Sequence, residues 1–310
     1  MKTNKDILPF QGLLNGIGQV YFTPSIMTST LLLLAISIES LALAFLTLLG
    51  ASCSYALAFY GYMYTNTNTN TNKSVDDIDS GMYALYGALI GLFIGHFFGV
   101  TPLLALVTAL GALLTVPIAH IVFSFEKYRG YTSAFILTTW LIYIIQSTFE
   151  LSAFSAPDSA LMPLISIEAN SWFNLPTVVI PLLKGISQVS FIENALSELV
   201  ILVAIALNNI KHAIWVMLAV IISTVFSGLI GASNELVAQG LYGYHAILAT
   251  LALVPYPRIR WPLILLGMLL SCLITLGFHE LSLLPLTAPF ILSTWGMVYL
   301  SSLIHKRTIS

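Results

Sequence analysis

The chain has 310 residues, of which 58% are hydrophobic and 8% charged; a soluble domain carries about a quarter charged residues, so a water-soluble globular fold is excluded. A formal net charge of −2 leaves no extended basic surface and excludes nucleic acid as a partner. Cys53 and Cys272 stand alone in apolar segments and read as small buried side chains, with no disulfide, metal site or cofactor to account for.

In chain order, residues 1–18 are broken by polar residues and Gly and read as a retained start rather than a cleaved signal peptide. Gly16-Ile17-Gly18-Gln19-Val20-Tyr21-Phe22 then leads through Thr23, Pro24 and Ser25 into an apolar run opening at Ile26, a helix-start pattern. That run, 26–50, already meets polar residues from Ser37 to Ser40, after about half of the ~20 residues that a bilayer crossing takes. A half-helix is expected there. Residues 65–72 alternate Thr and Asn, Asp76, Asp77 and Asp79 follow, and the tract reads as an exposed loop without chemistry. Apolar runs at 82–116 and 131–145 come next, with Thr115-Val116-Pro117 closing the first. Residues 150–174, rich in Ser, Pro, Asp and Asn, read as a linker.

Beyond the linker the plan repeats. Gly185-Ile186-Ser187-Gln188-Val189-Ser190-Phe191 matches the Gly16 segment at five of seven positions. Glu193 and Asn194 precede a run opening at Ala195, which again meets polar residues from Asn208 to Lys211, a second expected half-helix. Apolar runs at 213–230 and 262–277 follow. Gly240-Leu241-Tyr242-Gly243-Tyr244-His245-Ala246-Ile247-Leu248 matches Gly81-Met82-Tyr83-Ala84-Leu85-Tyr86-Gly87-Ala88-Leu89, and Thr287-Ala288-Pro289 matches the Thr115 segment. Three matches in one order at similar spacing indicate a duplication, with 1–149 and 175–310 as the copies and 150–174 between them.

Lipid-exposed backbone must satisfy its own hydrogen bonds, so the runs are helices and the fold class is all-α integral membrane. Each half holds about five spans and one shorter segment. An odd number turns the second half over, giving about ten transmembrane helices in two inverted repeats of five, each with a re-entrant half-helix. Solute sites in such proteins lie near the midplane, here at the pseudo-twofold axis. Both termini then share one side, and Lys2, Lys5, Lys306 and Arg307 place it in the cytoplasm of a multi-pass cell (inner) membrane protein.

Gln19 and Gln188 each precede a half-helix start, where free N–H groups and the positive dipole end suit a carbonyl oxygen. One such Gln would most often bond backbone; two equivalent copies argue for a neutral polar solute held by amide donors and acceptors. Thr115 and Thr287 each stand two residues before a Pro that leaves backbone carbonyls unpaired, which gives a column of acceptors. Phe22 and Phe191, three residues after each Gln, read as pore walls. Leu85, Leu89, Tyr244 and Leu248 recur at helical spacing, a weaker signal shared with ordinary packing.

Together the two Gly-x-x-Gln-Val-x-Phe segments, the two Gly81- and Gly240-type segments and Leu284-Pro285-Leu286-Thr287-Ala288-Pro289-Phe290 resemble the urea transporter family over nearly the whole chain. The resemblance implies a homotrimer with one pore per subunit, in which urea diffuses through a narrow midplane slot. Phe22, Phe191, Leu85, Leu89, Tyr244 and Leu248 would wall that slot; Gln19, Gln188, Thr115 and Thr287 would flank its acceptor column. Where Tyr86 and His245 stand, family members commonly carry Asn. Flat urea fits between apolar walls with its N–H edge on a row of oxygens, whereas an ion would lose its hydration without compensation.

The alternatives are an ammonium or amide channel, for which only His245 lies in a repeated segment, and a proton-coupled small-solute carrier using Glu39, Glu193 or Glu198. An enzyme is not expected, since no metal-ligand spacing or paired-carboxylate constellation recurs.

Overall fold

The computed structural model describes residues 10–65, 72–124, 129–149, 180–192 and 195–309. The linker at 150–174, Glu193, Asn194, Lys2, Lys5, Lys127 and the middle of the Thr/Asn tract lie outside them, as do the side chains of Lys306 and Arg307. Two compact units divide the chain, Met1–Leu164 and Ile165–Ser310, and the described residues of each form helices joined by short turns, with no strand among them.

In the first unit α1 (Gln11–Gly18) runs into a 3-10 turn over Gln19–Tyr21, followed by α2 (Ile26–Glu39), α3 (Leu41–Thr65), α4 (Asn72–Asp79), α5 (Met82–Phe98), α6 (Pro102–Ser124) and α7 (Ser133–Phe149). The α1 turn and α2 meet at a bend of 68°. Helix α2 opens at Ile26, as its Thr-Pro-Ser lead predicts, and stops after 14 residues. What stops it is Ser40, whose extended backbone breaks the run and whose hydroxyl accepts the Leu43 N–H at 3.3 Å to start α3. The acidic stretch that follows the Thr/Asn tract, expected to be loop, is instead the helix α4, whose own Ile78 is buried.

Helix α5 is the axis of this unit, with every residue from Tyr83 to Gly95 buried. Small residues let α3 lie on its backbone: a Cβ on Gly87 would come within 2.0 Å of the Gly50 carbonyl, and one on Gly91 within 2.1 Å of the Leu46 carbonyl. Helix α6 turns Leu104, Thr108, Gly111, Ala112, Thr115 and Ala119 inward and leaves Leu103, Leu106, Leu110 and Ile121 exposed. That helical period separates a packed face from an apolar face suited to lipid.

The second unit contains α8 (Ile180–Ser187) with a 3-10 turn at Gln188–Ser190, α9 (Ala195–Asn208), α10 (Ile210–Leu229), α11 (Asn234–Ala238), α12 (Leu241–Leu253), α13 (Trp261–Glu280) and α14 (Ala288–Ile309). Here α12 is buried from Tyr242 to Leu253. Asn209 separates α9 from α10, its Oδ1 accepting the Lys211 and His212 N–H groups at 3.0 and 3.4 Å.

Among the described residues α3, α6, α10 and α13 are long and apolar enough to cross a membrane, and the bent α1–α2 pair makes a fifth if it is one span. Helices α5, α7, α9 and α12 are apolar but shorter.

Candidate functional site

The same local structure surrounds both repeated glutamines. Phe22 ends its turn in the left-handed region at φ 55, ψ 29, with its N–H donated to Gln19 O at 2.9 Å and the Thr23 N–H to Gly18 O at 3.1 Å. Phe191 does so at φ 55, ψ 41, with its N–H on Gln188 O at 3.2 Å and the Ile192 N–H on Ser187 O at 3.3 Å. Glycine ordinarily closes a helix in this way. A bulky L-residue there costs about 1–2 kcal/mol, and the cost occurs at both positions.

Glycines seat each turn against the following buried helix. Gly81 heads α5 at φ 83, and a Cβ on it would sit 2.1 Å from Gly16 N; Gly240 heads α12 at φ 76, with Gly185 N at 2.3 Å from its would-be Cβ. Leu85 lies against the same crossing, because a Cβ on Gly16 would come within 2.9 Å of Leu85 N. Behind each turn the first turn of the next helix reaches back. In the first unit the Ser29 hydroxyl accepts the Gly18 N–H at 3.1 Å. In the second, Ser187 Oγ donates to Glu198 Oε1 at 3.2 Å, and Glu198 is buried. Glu198 therefore ties α9 to the turn.

The two amides are half-buried but differently used. Gln19 Nε2 donates to the Ser80 carbonyl at 3.1 Å, which fixes the side chain and leaves Oε1 as an acceptor. Asn15 Nδ2 makes the parallel bond to Asp79 O at 3.0 Å, so the end of α4 holds the turn. This corrects the reading of that region as a loop without chemistry. Gln188 makes no side-chain hydrogen bond among the described residues.

Leu85 and Leu89 are buried one turn apart on α5, and Tyr244 and Leu248 one turn apart on α12. Thr115 is fully buried on α6 and donates Oγ1–H to Ala112 O at 2.6 Å, keeping its lone pairs. The Thr-x-Pro segments do not share one geometry. Pro117 is inside α6, so its missing N–H leaves the Leu113 carbonyl without its helical partner. Pro289 falls in the first turn of α14, where no intrahelical bond is lost. The expectation of freed carbonyls at both prolines is thus met at Pro117 and corrected at Pro289. Thr287, nearly fully buried, stands directly before α14.

Three features escaped sequence reasoning. The Tyr244 hydroxyl donates to the Leu286 carbonyl at 2.5 Å. Tyr86 and His245, at equivalent repeat positions, are fully buried, and neither the Tyr86 hydroxyl nor either His245 ring nitrogen has a partner among the described residues. The left-handed phenylalanines left no mark in composition. No group of three His, Cys, Asp or Glu side chains able to hold a metal ion occurs among the described residues. Each unit thus carries its own glutamine turn, seated on its own buried helix. A family model described as urea transporter matches residues 10–302.

Proposed function

Since the chain belongs to the urea transporter family and is a urea channel of the membrane, we propose that urea crosses it by facilitated diffusion through a slot built from both repeats. The observation that carries this reading is the doubled turn, in which a left-handed phenylalanine follows a glutamine that ends a helix. The rings of Phe22 and Phe191, with Leu85, Leu89, Tyr244 and Leu248, form apolar walls for the flat faces of urea. The amide oxygens of Gln19 and Gln188 and the hydroxyl oxygens of Thr115 and Thr287 accept from its N–H edge. Apolar walls with neutral acceptors stabilise no ion against the loss of its water.

Residues 1–149 and 175–310 act as inverted repeats of five spans joined by 150–174, with α2 and α9 as re-entrant half-helices, both 14 residues long. Shared family character supports a homotrimer in the cell (inner) membrane with a pore in each subunit. The test is stopped-flow urea flux into proteoliposomes of the full chain at a fixed urea gradient. The flux should saturate with urea and be unchanged by an uncoupler. Collapse on uncoupling would replace the channel by a proton-coupled carrier, and methylamine flux exceeding that of urea would replace it by an ammonium channel.

A further inference from the structure

We propose that Glu198 is a positioning residue that braces the second glutamine turn, as Ser29 braces the first, and so sets where Gln188 meets the solute. The inference rests on the reading above, in which Gln188 lines the slot, and gives Glu198 this role in place of a proton relay. The two halves correspond here without a gap. Gly18 and Ser187 immediately precede the glutamines, α2 and α9 open at Ile26 and Ala195, and Ser40 and Asn209 follow them, every pair at one constant spacing. That register sets Ser29 opposite Glu198. Each is the fourth residue of its helix, and each is buried.

The two braces are reciprocal solutions to one problem. In the first unit Ser29 Oγ accepts the Gly18 N–H at 3.1 Å, so close that a Cβ on Gly18 would come within 2.8 Å of the hydroxyl. A glycine therefore admits a short brace. In the second unit that place is taken by a serine, and the longer Glu198 side chain meets its hydroxyl at 3.2 Å instead. The brace bears on the backbone that places the amide, because Ser187 O accepts the Ile192 N–H at 3.3 Å and closes the turn containing Gln188. Gln19 is also fixed by its own bond to the Ser80 carbonyl, whereas Gln188 makes no side-chain hydrogen bond among the described residues and takes its place from the turn. Ser187 Oγ is equally 3.2 Å from Lys184 O, the bond a serine makes within its own helix. Removing the carboxyl thus leaves the hydroxyl satisfied and breaks only its link to α9.

In proteoliposomes of the full chain Glu198→Ala should lower urea flux about twofold to tenfold, the span of one lost net hydrogen bond. Ser187→Ala should match it, and the two together should lose no more than either, because both remove one bond. Glu198→Gln keeps an oxygen for Ser187 but has no proton to release, and should keep wild-type flux. Ser187→Gly combined with Glu198→Ser rebuilds the pair of the first unit and should recover the flux that Glu198→Ser alone loses. Where Gln188→Leu has already removed the amide, Glu198→Ala should cost little further, whereas a brace for the fold alone would cost as much as in the wild type. The inference is overturned by wild-type flux in Glu198→Ala, by Glu198→Gln as impaired as the alanine variant, by losses at 187 and 198 that multiply, by no recovery in the exchanged pair, or by an undiminished loss beside Gln188→Leu. If Glu198→Ala does not fold in detergent, Glu198→Gln and the exchanged pair still decide. Wild-type flux in Gln188→Leu would instead remove Gln188 from the solute path, a failure of the underlying reading that this comparison separates from failure of the brace.

Discussion

At the scale of single residues, the phenylalanines of the two turns carry opposed demands. Their φ of 55 favours glycine, while a ring is needed if they wall a pore. The opposition can be measured because it reverses the usual ranking of small residues. In a helix interior Gly is less stable than Ala by about 0.5–1 kcal/mol. At Phe22 or Phe191, Gly should instead be more stable than Ala by about 1 kcal/mol, since only Ala keeps the left-handed penalty. Thermal unfolding of the paired variants in detergent gives the comparison, and an Ala variant equal to or above the Gly variant would mean the turn relaxes out of this conformation. Both variants lose the ring, so both should lose urea flux together.

Between elements, the structure depends on places where backbone meets backbone. Gly240→Ala would push a Cβ within 2.3 Å of Gly185 N at φ 76, combining overpacking with a strained backbone, and should cost about 2–4 kcal/mol. Gly61→Ala in α3, where a Cβ would meet nothing within 4 Å, should gain about 0.5–1 kcal/mol. Unfolding midpoints that moved in the same direction would refute the close crossing at Gly240. These contacts also explain what the sequence could and could not disclose. Gly16, Gly81, Gly185 and Gly240 were visible as members of repeats, and Ile26 and Ala195 as helix starts, because repetition and helix-start chemistry are written in residue type. The role of those glycines was not legible, since it depends on which helices cross. The α4 helix was hidden because its polar sequence lacks an apolar face of any length, and its use is to offer the Asp79 and Ser80 carbonyls to Asn15 and Gln19. Likewise Thr115 and Thr287 matched as letters, although one lies inside a helix and the other before one.

At the scale of the whole molecule, each unit buries its own central helix and carries one glutamine turn, and the proposed channel requires that both turns serve one solute. This makes a prediction about coupling that neither unit can satisfy alone. Gln19→Leu removes an acceptor and also orphans the Ser80 carbonyl, whereas Gln188→Leu removes an amide with no side-chain partner among the described residues. A polar group left unpaired costs about 1–3 kcal/mol, so each variant should lose about tenfold or more in urea flux, and Gln19→Leu should also lose thermal stability that Gln188→Leu keeps. When the two are combined, the loss should fall short of the product of the single losses, because residues sharing one ligand couple whereas distant independent sites add in free energy. The measurement is a double-mutant cycle on flux, with all four proteins checked for folding in detergent. A strictly multiplicative double variant would place the two amides at separate steps of passage. Wild-type flux in both single variants would reduce them to helix-end residues and leave the left-handed phenylalanines as the only function of the repeated turn.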